Sequence, residues 1–285
     1  MSFNYEEYIR KGTLPHIWCA GCGHGILMKS IIRAIAKLEI DKNKIAVVSG
    51  IGCVSRMTGY LDFNTLHTTH GRAITFATGL KMVKHDMTVI LVCGDGDAVA
   101  IGGNHFIHAC RRNIDLTMIV ANNYIYGMTG GQVAPTTPIA DISTTTPYGN
   151  IDREFDICRL AEGAGATFVA RTTSFHSAQM DQLIVQAIKH KGFSVVDVID
   201  SCWTVYGRRN KFKDHVAMLE WQRDIALPLK AAERMKPEDI KGKILTGIFC
   251  SKEAPEYVEE YRKLQERARG GTPGQPQYEQ SSGHL

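Results

Sequence analysis

A chain of 285 residues, 44% of them hydrophobic, can bury a large core, which excludes a disordered or fibrous protein. Its formal charge of +4, with no aromatics interleaved among basic residues, excludes the usual footprint of a nucleic-acid binder. No uncharged stretch reaches the length of a membrane span and the N-terminus MSFNYEEYIRKG lacks an apolar signal segment, so a cytoplasmic protein is expected.

Residues 1–18 read as an irregular arm that leads into CAGCGHG. Ile26, Leu27, Ile31, Ile32, Ile35 and Leu38 then recur at helical spacing, which predicts a helix over 24–39. The apolar run 45–49 predicts a buried strand closed by Gly50-Ile51-Gly52-Cys53. After a loop carrying Arg56, His67 and His70, apolar residues from Ala73 to Val83 predict a second helix. Residues 89–132 are expected to form a strand ending in Gly94-Asp95-Gly96, a helix, and a strand ending in Asn122-Asn123. A long Gly/Pro/Thr-rich loop, 127–150, is of the kind that is usually functional. Helices at 154–164 and 176–190 alternate with strands at 167–171 and 193–199.

Alternating strands and helices with continuous apolar strands predict an α/β fold, a three-layer sandwich with a mostly parallel sheet. The expected organisation is a main domain, 1–203, and a C-terminal extension packed on it, 204–268. The extension would hold a helix around 214–235, a strand at 244–250 and a charged helix at 254–268. Residues 269–285 have the composition of a flexible tail.

Eight cysteines without a secretory signal read as thiols or metal ligands, not as a disulfide scaffold. Cys93, Cys110, Cys158 and Cys250 fall in apolar elements and are expected to be small packed side chains. Cys19, Cys22, Cys53 and Cys202 fall in turns. Ligands of a parallel sheet bind beyond the carboxyl ends of its strands, and topology brings these four thiols and the pair Asp95 and Asn123 to that edge. Four thiolates suit Zn²⁺ or an iron–sulfur cluster. A carboxylate and an amide oxygen suit Mg²⁺, and nearby glycines let backbone N–H groups approach a diphosphate. A nicotinamide site fits less well, because Val99 stands where G-x-G-x-x-G needs its third glycine.

The segments CAGCGHG, SGIGCVSR, HTTHGRA, GDGDAVAIGGNHFIHACRRN and NNYIYGMTGGQ, together with Cys202, resemble the β subunit of 2-oxoacid:ferredoxin oxidoreductases over residues 14–250. The resemblance implies a diphosphate-domain fold that binds thiamine diphosphate through Mg²⁺, with one 4Fe-4S cluster beside it. It implies cluster ligands Cys19, Cys22, Cys53 and Cys202, and Mg²⁺ ligands Asp95, Asn123 and the main-chain carbonyl of Ile125. Cofactor contacts would fall on Ile51, Gly52, Cys53 and Val54 after the first strand and on Gly96 and Asp97 after the next. Gly127, Met128 and Thr129 would complete them. Arg56 is the candidate for pairing with a substrate carboxylate, and His24 and His70 are further candidates at the site.

The implied reaction is the oxidative decarboxylation of a 2-oxoacid to acyl-CoA and CO₂, possible in both directions, with ferredoxin as electron acceptor. 2-Oxoglutarate ranks ahead of pyruvate. An α subunit would supply the pyrimidine-binding domain, giving an (αβ)₂ assembly in which this chain alone is inactive. The basic segment 208–213 could face an acidic ferredoxin. The rival readings are a non-redox thiamine diphosphate decarboxylase or synthase subunit, and a zinc-stabilised scaffold.

Overall fold

The computed structural model describes residues 3–270. Most of the tail expected at 269–285 therefore lies outside the described residues. In chain order the first half runs through α1 (His24–Lys37), β1 (Ile45–Ser49), α2 (Met57–Tyr60), β2 (Asn64–His67), α3 (Ala73–Val83) and β3 (Thr88–Gly94). It continues with α4 (Gly103–Arg112), β4 (Leu116–Asn122) and a small hairpin, β5 (Ile125–Tyr126) and β6 (Gln132–Val133). The second half holds α5 (Ile157–Gly163), β7 (Phe168–Thr173), α6 (Ser177–Lys189) and β8 (Phe193–Ile199). Then come α7 (His215–Ile225), β9 (Ala226–Pro228), α8 (Leu229–Ala232), α9 (Pro237–Ile240), β10 (Ile244–Ser251) and α10 (Tyr257–Ala268).

Eight strands form one sheet in the order β2-β1-β3-β4-β8-β7-β10-β9, and the six from β2 to β7 run parallel. Strand side chains alternate between faces. Ile45, Val47, Ile90, Val92, Ile119 and Ala121 join one core with α1 and α6. Ala46, Val48, Leu91, Cys93, Met118 and Val120 join the other with α3, α4 and α5. Both faces are covered, which is why these strands read as unbroken apolar runs. Arg33 of α1 clamps the first layer by a two-pronged pair with Asp181 of α6, at 2.6 and 2.7 Å.

β2 and the helix expected over 214–235 differ from expectation, whereas β10 falls where a strand at 244–250 was expected. β2 was invisible as a strand because NTLH is largely exposed at the edge and has no apolar alternation. The helix expected over 214–235 breaks after Ile225. Leu227 precedes Pro228, whose ring disfavours helical backbone before it, and the segment instead pairs with β10 in parallel. β10 itself joins the main sheet antiparallel to β7, so the segment 204–268 completes the sheet edge. Among the described residues, no helix is long and apolar enough to cross a membrane.

Candidate functional site

The site lies beyond the carboxyl ends of β1, β3, β4 and β8. Register sets its first half: Gly94 of β3 pairs with Ala121 of β4, so Asp95 and Asn123 leave the sheet side by side. Asp95 is 3% exposed, and its carboxylate accepts from the N–H of Gly96 at 2.8 Å, the N–H of Tyr124 at 3.0 Å and the Thr136 hydroxyl at 2.7 Å. Burial outweighs those donors and raises it to about 6. Among the described residues no Lys or Arg side chain pairs with it. A buried carboxylate in this state is one that a divalent cation would return to full charge.

Tyr124 takes the left-handed conformation, φ 64°, between Asn123 and Ile125. The Asn123 side-chain oxygen accepts from the Ile125 N–H at 3.4 Å. Gly96 opens a wide helical turn ahead of α4, and a Cβ there would lie 2.1 Å from the Tyr126 ring. Only glycine fits beside that aromatic.

Asp97 ties two loops together. Its Oδ1 accepts from the Gly71 N–H at 2.7 Å, the Ile51 N–H at 3.2 Å and His70 Nδ1 at 2.6 Å. Its Oδ2 is buried without a partner among the described residues, and a Cβ on Gly50 would lie 2.1 Å from it. The turn after β1 is thus fixed by a side chain from the turn after β3.

The second half of the site is sulfur-rich. The Cys53 carbonyl accepts from the Trp18 indole N–H at 2.7 Å. Space left by the missing side chain of Gly127 lies 3.4 Å from the Cys202 sulfur and 3.9 Å from that of Cys53. Burial pushes the Cys22 thiol up, the Asp200 carboxylate adds to the shift, and Cys202 and Cys53 contribute as electrostatic neighbours. Burial also raises Cys202, to about 11. Cys19 is exposed on the same loop as Cys22, whose N–H donates to the Cys19 carbonyl at 3.1 Å. Among the described residues no three His, Cys, Asp or Glu side chains close on a single metal-sized point.

Ile51 to Val54, Asp95 to Asp97, Asn123 and Ile125 to Thr129 wall one pocket, together with His24 and His70. Burial works against a charge on His24, but Asp200 beside it and a hydrogen bond to Cys53 hold it up at about 9. Arg56 does not line this pocket. It sits in the helical turn Val54–Arg56 with its side chain exposed. Thr136, Trp18 and Tyr126 escaped the reading of the sequence, although Thr136 falls in the loop 127–150 whose length and composition had marked it as functional.

Residues 50–198 match the family model of the thiamine pyrophosphate enzyme C-terminal TPP binding domain. The 2-oxoglutarate synthase subunit KorB of Methanocaldococcus jannaschii is 49% identical, over 92% of this chain and 97% of its own. The KorB subunit of Archaeoglobus fulgidus is also 49% identical, over 95% of this chain and 98% of its own. A solved 2-oxoglutarate:ferredoxin oxidoreductase of Magnetococcus marinus, with 2-oxoglutarate, coenzyme A and succinyl-CoA bound, contains a chain of the same fold. It matches with a TM-score of 0.84 and 32% identity, covering 96% of this chain and 93% of that one.

Proposed function

The chain belongs to the β-subunit family of 2-oxoacid:ferredoxin oxidoreductases, and we propose that it holds the diphosphate end of thiamine diphosphate through Mg²⁺ beside one 4Fe-4S cluster. The substrate read as first choice is 2-oxoglutarate, with pyruvate second, and the products are acyl-CoA and CO₂. The observation that carries this reading is the pocket itself, where buried hard-oxygen groups share a wall with the Cys53 thiol and the Cys202 sulfur lies next to Gly127 of that wall. When bound, thiamine diphosphate supplies the electron sink for decarboxylation and the cluster passes electrons on singly to ferredoxin.

Each part of the chain has a task in that reading. Asp95, Asn123 and the Ile125 carbonyl hold Mg²⁺, a set of hard oxygen donors suited to it. Gly52, Gly96 and Gly127 let the main chain approach the diphosphate, flanked by Ile51, Val54, Met128 and Thr129. Asp97 holds the turn after β1 in place for that approach. Cys19, Cys22, Cys53 and Cys202 hold the cluster. Four thiolates suit a four-iron cluster, which is gripped at its corners. The open pocket mouth leaves room for an α subunit that covers the pyrimidine end.

Arg56, on the turn that follows Cys53, is the candidate for the substrate carboxylate. A charged hydrogen-bonded pair contributes about 1.5–3 kcal/mol, so Arg56→Ala should raise KM for the oxoacid at least about 10-fold while leaving KM for coenzyme A alone. Equal changes in both would refute the role.

The basic segment 208–213 comes one helical turn, Trp203–Gly207, after Cys202. The Arg208 guanidinium lies 4.6 Å from the Trp203 ring centre, and Arg209 donates to the Val205 carbonyl at 3.1 Å. Neutralising Arg208, Arg209, Lys211 and Lys213 should slow the reduction of an acidic ferredoxin about 10-fold or more at low salt, and little at high salt. A rate independent of these charges at low salt would dismiss this face as the docking site.

The reading as a whole is tested on the chain co-purified with its α subunit without oxygen. The expected protein is brown, with iron and sulfide in equal amounts, and reduces ferredoxin faster with 2-oxoglutarate and coenzyme A than with pyruvate. The chain alone should show no turnover. Colourless, zinc-containing protein would sink the cluster, and a preference for pyruvate would reverse the substrate order.

A further inference from the structure

Thr136 and Thr137 follow β6, are buried, and neither is among the described residues that wall the cofactor pocket. Their hydroxyls nevertheless end on the two arms of the Mg²⁺ site. Thr136 donates to Asp95 Oδ2 at 2.7 Å, and Thr137 donates to the Tyr124 carbonyl at 2.6 Å. Tyr124 stands between Asn123 and Ile125, and its N–H donates to the same Asp95 Oδ2 at 3.0 Å. Both main-chain polar groups of Tyr124 are thus occupied, which holds it in the left-handed conformation, φ 64°, that a bulky residue rarely adopts. The threonines are themselves fixed. The Thr137 hydroxyl accepts from the Ala134 N–H at 2.8 Å, and the Thr137 carbonyl accepts from the Asn150 side-chain amide at 2.8 Å.

These bonds give the two Asp95 oxygens different roles. A carboxylate oxygen offers two lone-pair sites. Oδ2 fills both, with Tyr124 and Thr136. Among the described residues Oδ1 accepts only from the Gly96 N–H, at 2.8 Å, and so keeps a site for a cation. We propose that Thr136 and Thr137 are positioning residues: they fix the Asp95 carboxylate and the Asn123–Ile125 turn, and thereby set the preference of the site for Mg²⁺ over a larger divalent ion. The inference rests on the Mg²⁺ reading given above. Mg²⁺ demands near-ideal octahedral geometry with short bonds, whereas Ca²⁺ accepts longer bonds and irregular geometry. A site whose ligands can swing therefore loses Mg²⁺ first. The loop that carries Thr136, 41 residues along the chain from Asp95, would then govern the metal without touching it.

The test is calorimetric titration of the assembled enzyme, stripped of divalent cations and saturated with thiamine diphosphate, with Mg²⁺ and separately with Ca²⁺. Wild type, Thr136→Val, Thr137→Val and Thr136→Ser are compared. Valine keeps the branched shape and removes the donor; serine keeps the donor. Removing a group that orients a metal ligand typically costs about 10–100-fold in affinity, so Thr136→Val should bind Mg²⁺ at least about 10-fold more weakly and lose less for Ca²⁺. Thr136→Ser should stay within about 3-fold of wild type for both ions. A Mg²⁺ dissociation constant for Thr136→Val within about 2-fold of wild type would overturn the inference. So would equal losses for the two ions, or Thr136→Ser binding as weakly as Thr136→Val. If Thr136→Val does not fold, Thr137→Val decides: a selective loss of Mg²⁺ supports the proposal, and an unselective loss or none overturns it. Wild-type enzyme that binds thiamine diphosphate equally well without any divalent cation would instead overturn the Mg²⁺ reading on which the inference stands.

Discussion

Asp95→Ala weakens binding of Mg²⁺ and thiamine diphosphate by about 100-fold or more and abolishes turnover in the assembled enzyme. Outer-shell partners of a metal typically cost 10–100-fold when removed, and a direct carboxylate ligand should lie at or beyond the upper end. Asp95 is also the group least easily replaced by a neighbour. It is 3% exposed and is held by two main-chain N–H groups and the Thr136 hydroxyl. Water has little room to take over its place. Asp95→Asn, which keeps the shape and loses the charge, should bind with intermediate strength. The measurement is a Mg²⁺ and thiamine diphosphate titration followed by calorimetry. Because the alanine leaves buried donors unpaired, at about 1–3 kcal/mol each, circular dichroism must show the variant folded. A dissociation constant for Asp95→Ala within about 2-fold of wild type, in folded protein, would remove Asp95 from the Mg²⁺ site.

The layers of the fold were legible because strands buried on both faces leave long apolar runs, as in 89–93 and 116–121, and amphipathic helices leave a spacing that no strand shares. The location of the site was legible for a topological reason. Residues that follow parallel strands share an edge, whatever their separation in the chain, so Cys53, Asp95, Asn123 and Cys202 could be gathered before any geometry was known. What depended on side-chain packing was not legible. The role of Asp97 as the tie between Gly71, Ile51 and His70 follows from three bonds to one oxygen, and nothing in Gly-Asp-Ala announces it. Thr136 reaches Asp95 across a loop without periodicity, so no pattern pointed to it. β2 and the break after Ile225 were lost to the opposite error: one strand lacks an apolar stripe, and one run of helix formers is overridden by Pro228 and by pairing with β10.

The same distinction between context and composition is put to its strongest test by the cysteines. Cys202→Ala should yield protein without the cluster and without any transfer to ferredoxin, whereas Cys110→Ala should keep both. The two residues are alike in chemistry and both are raised by burial, yet their surroundings differ. Cys110 is fully buried on α4 within the core that also contains Phe106 and Ala109. Loss of its sulfur removes packing alone, and a small change there costs stability but no chemistry. Cys202 sits at the pocket rim near Cys53 and Cys22, at the end of β8, where its sulfur meets the space left by Gly127. A four-iron cluster depends on four thiolates, and removing one leaves an iron without its protein ligand. Because Cys202 lies outside the residues that wall the cofactor pocket, Cys202→Ala should still bind thiamine diphosphate with near wild-type affinity. That outcome separates the two halves of the site, with binding intact and electron exit lost. Iron and sulfide analysis beside a thiamine diphosphate titration checks it, and full iron content in Cys202→Ala would take this thiol out of the ligand set.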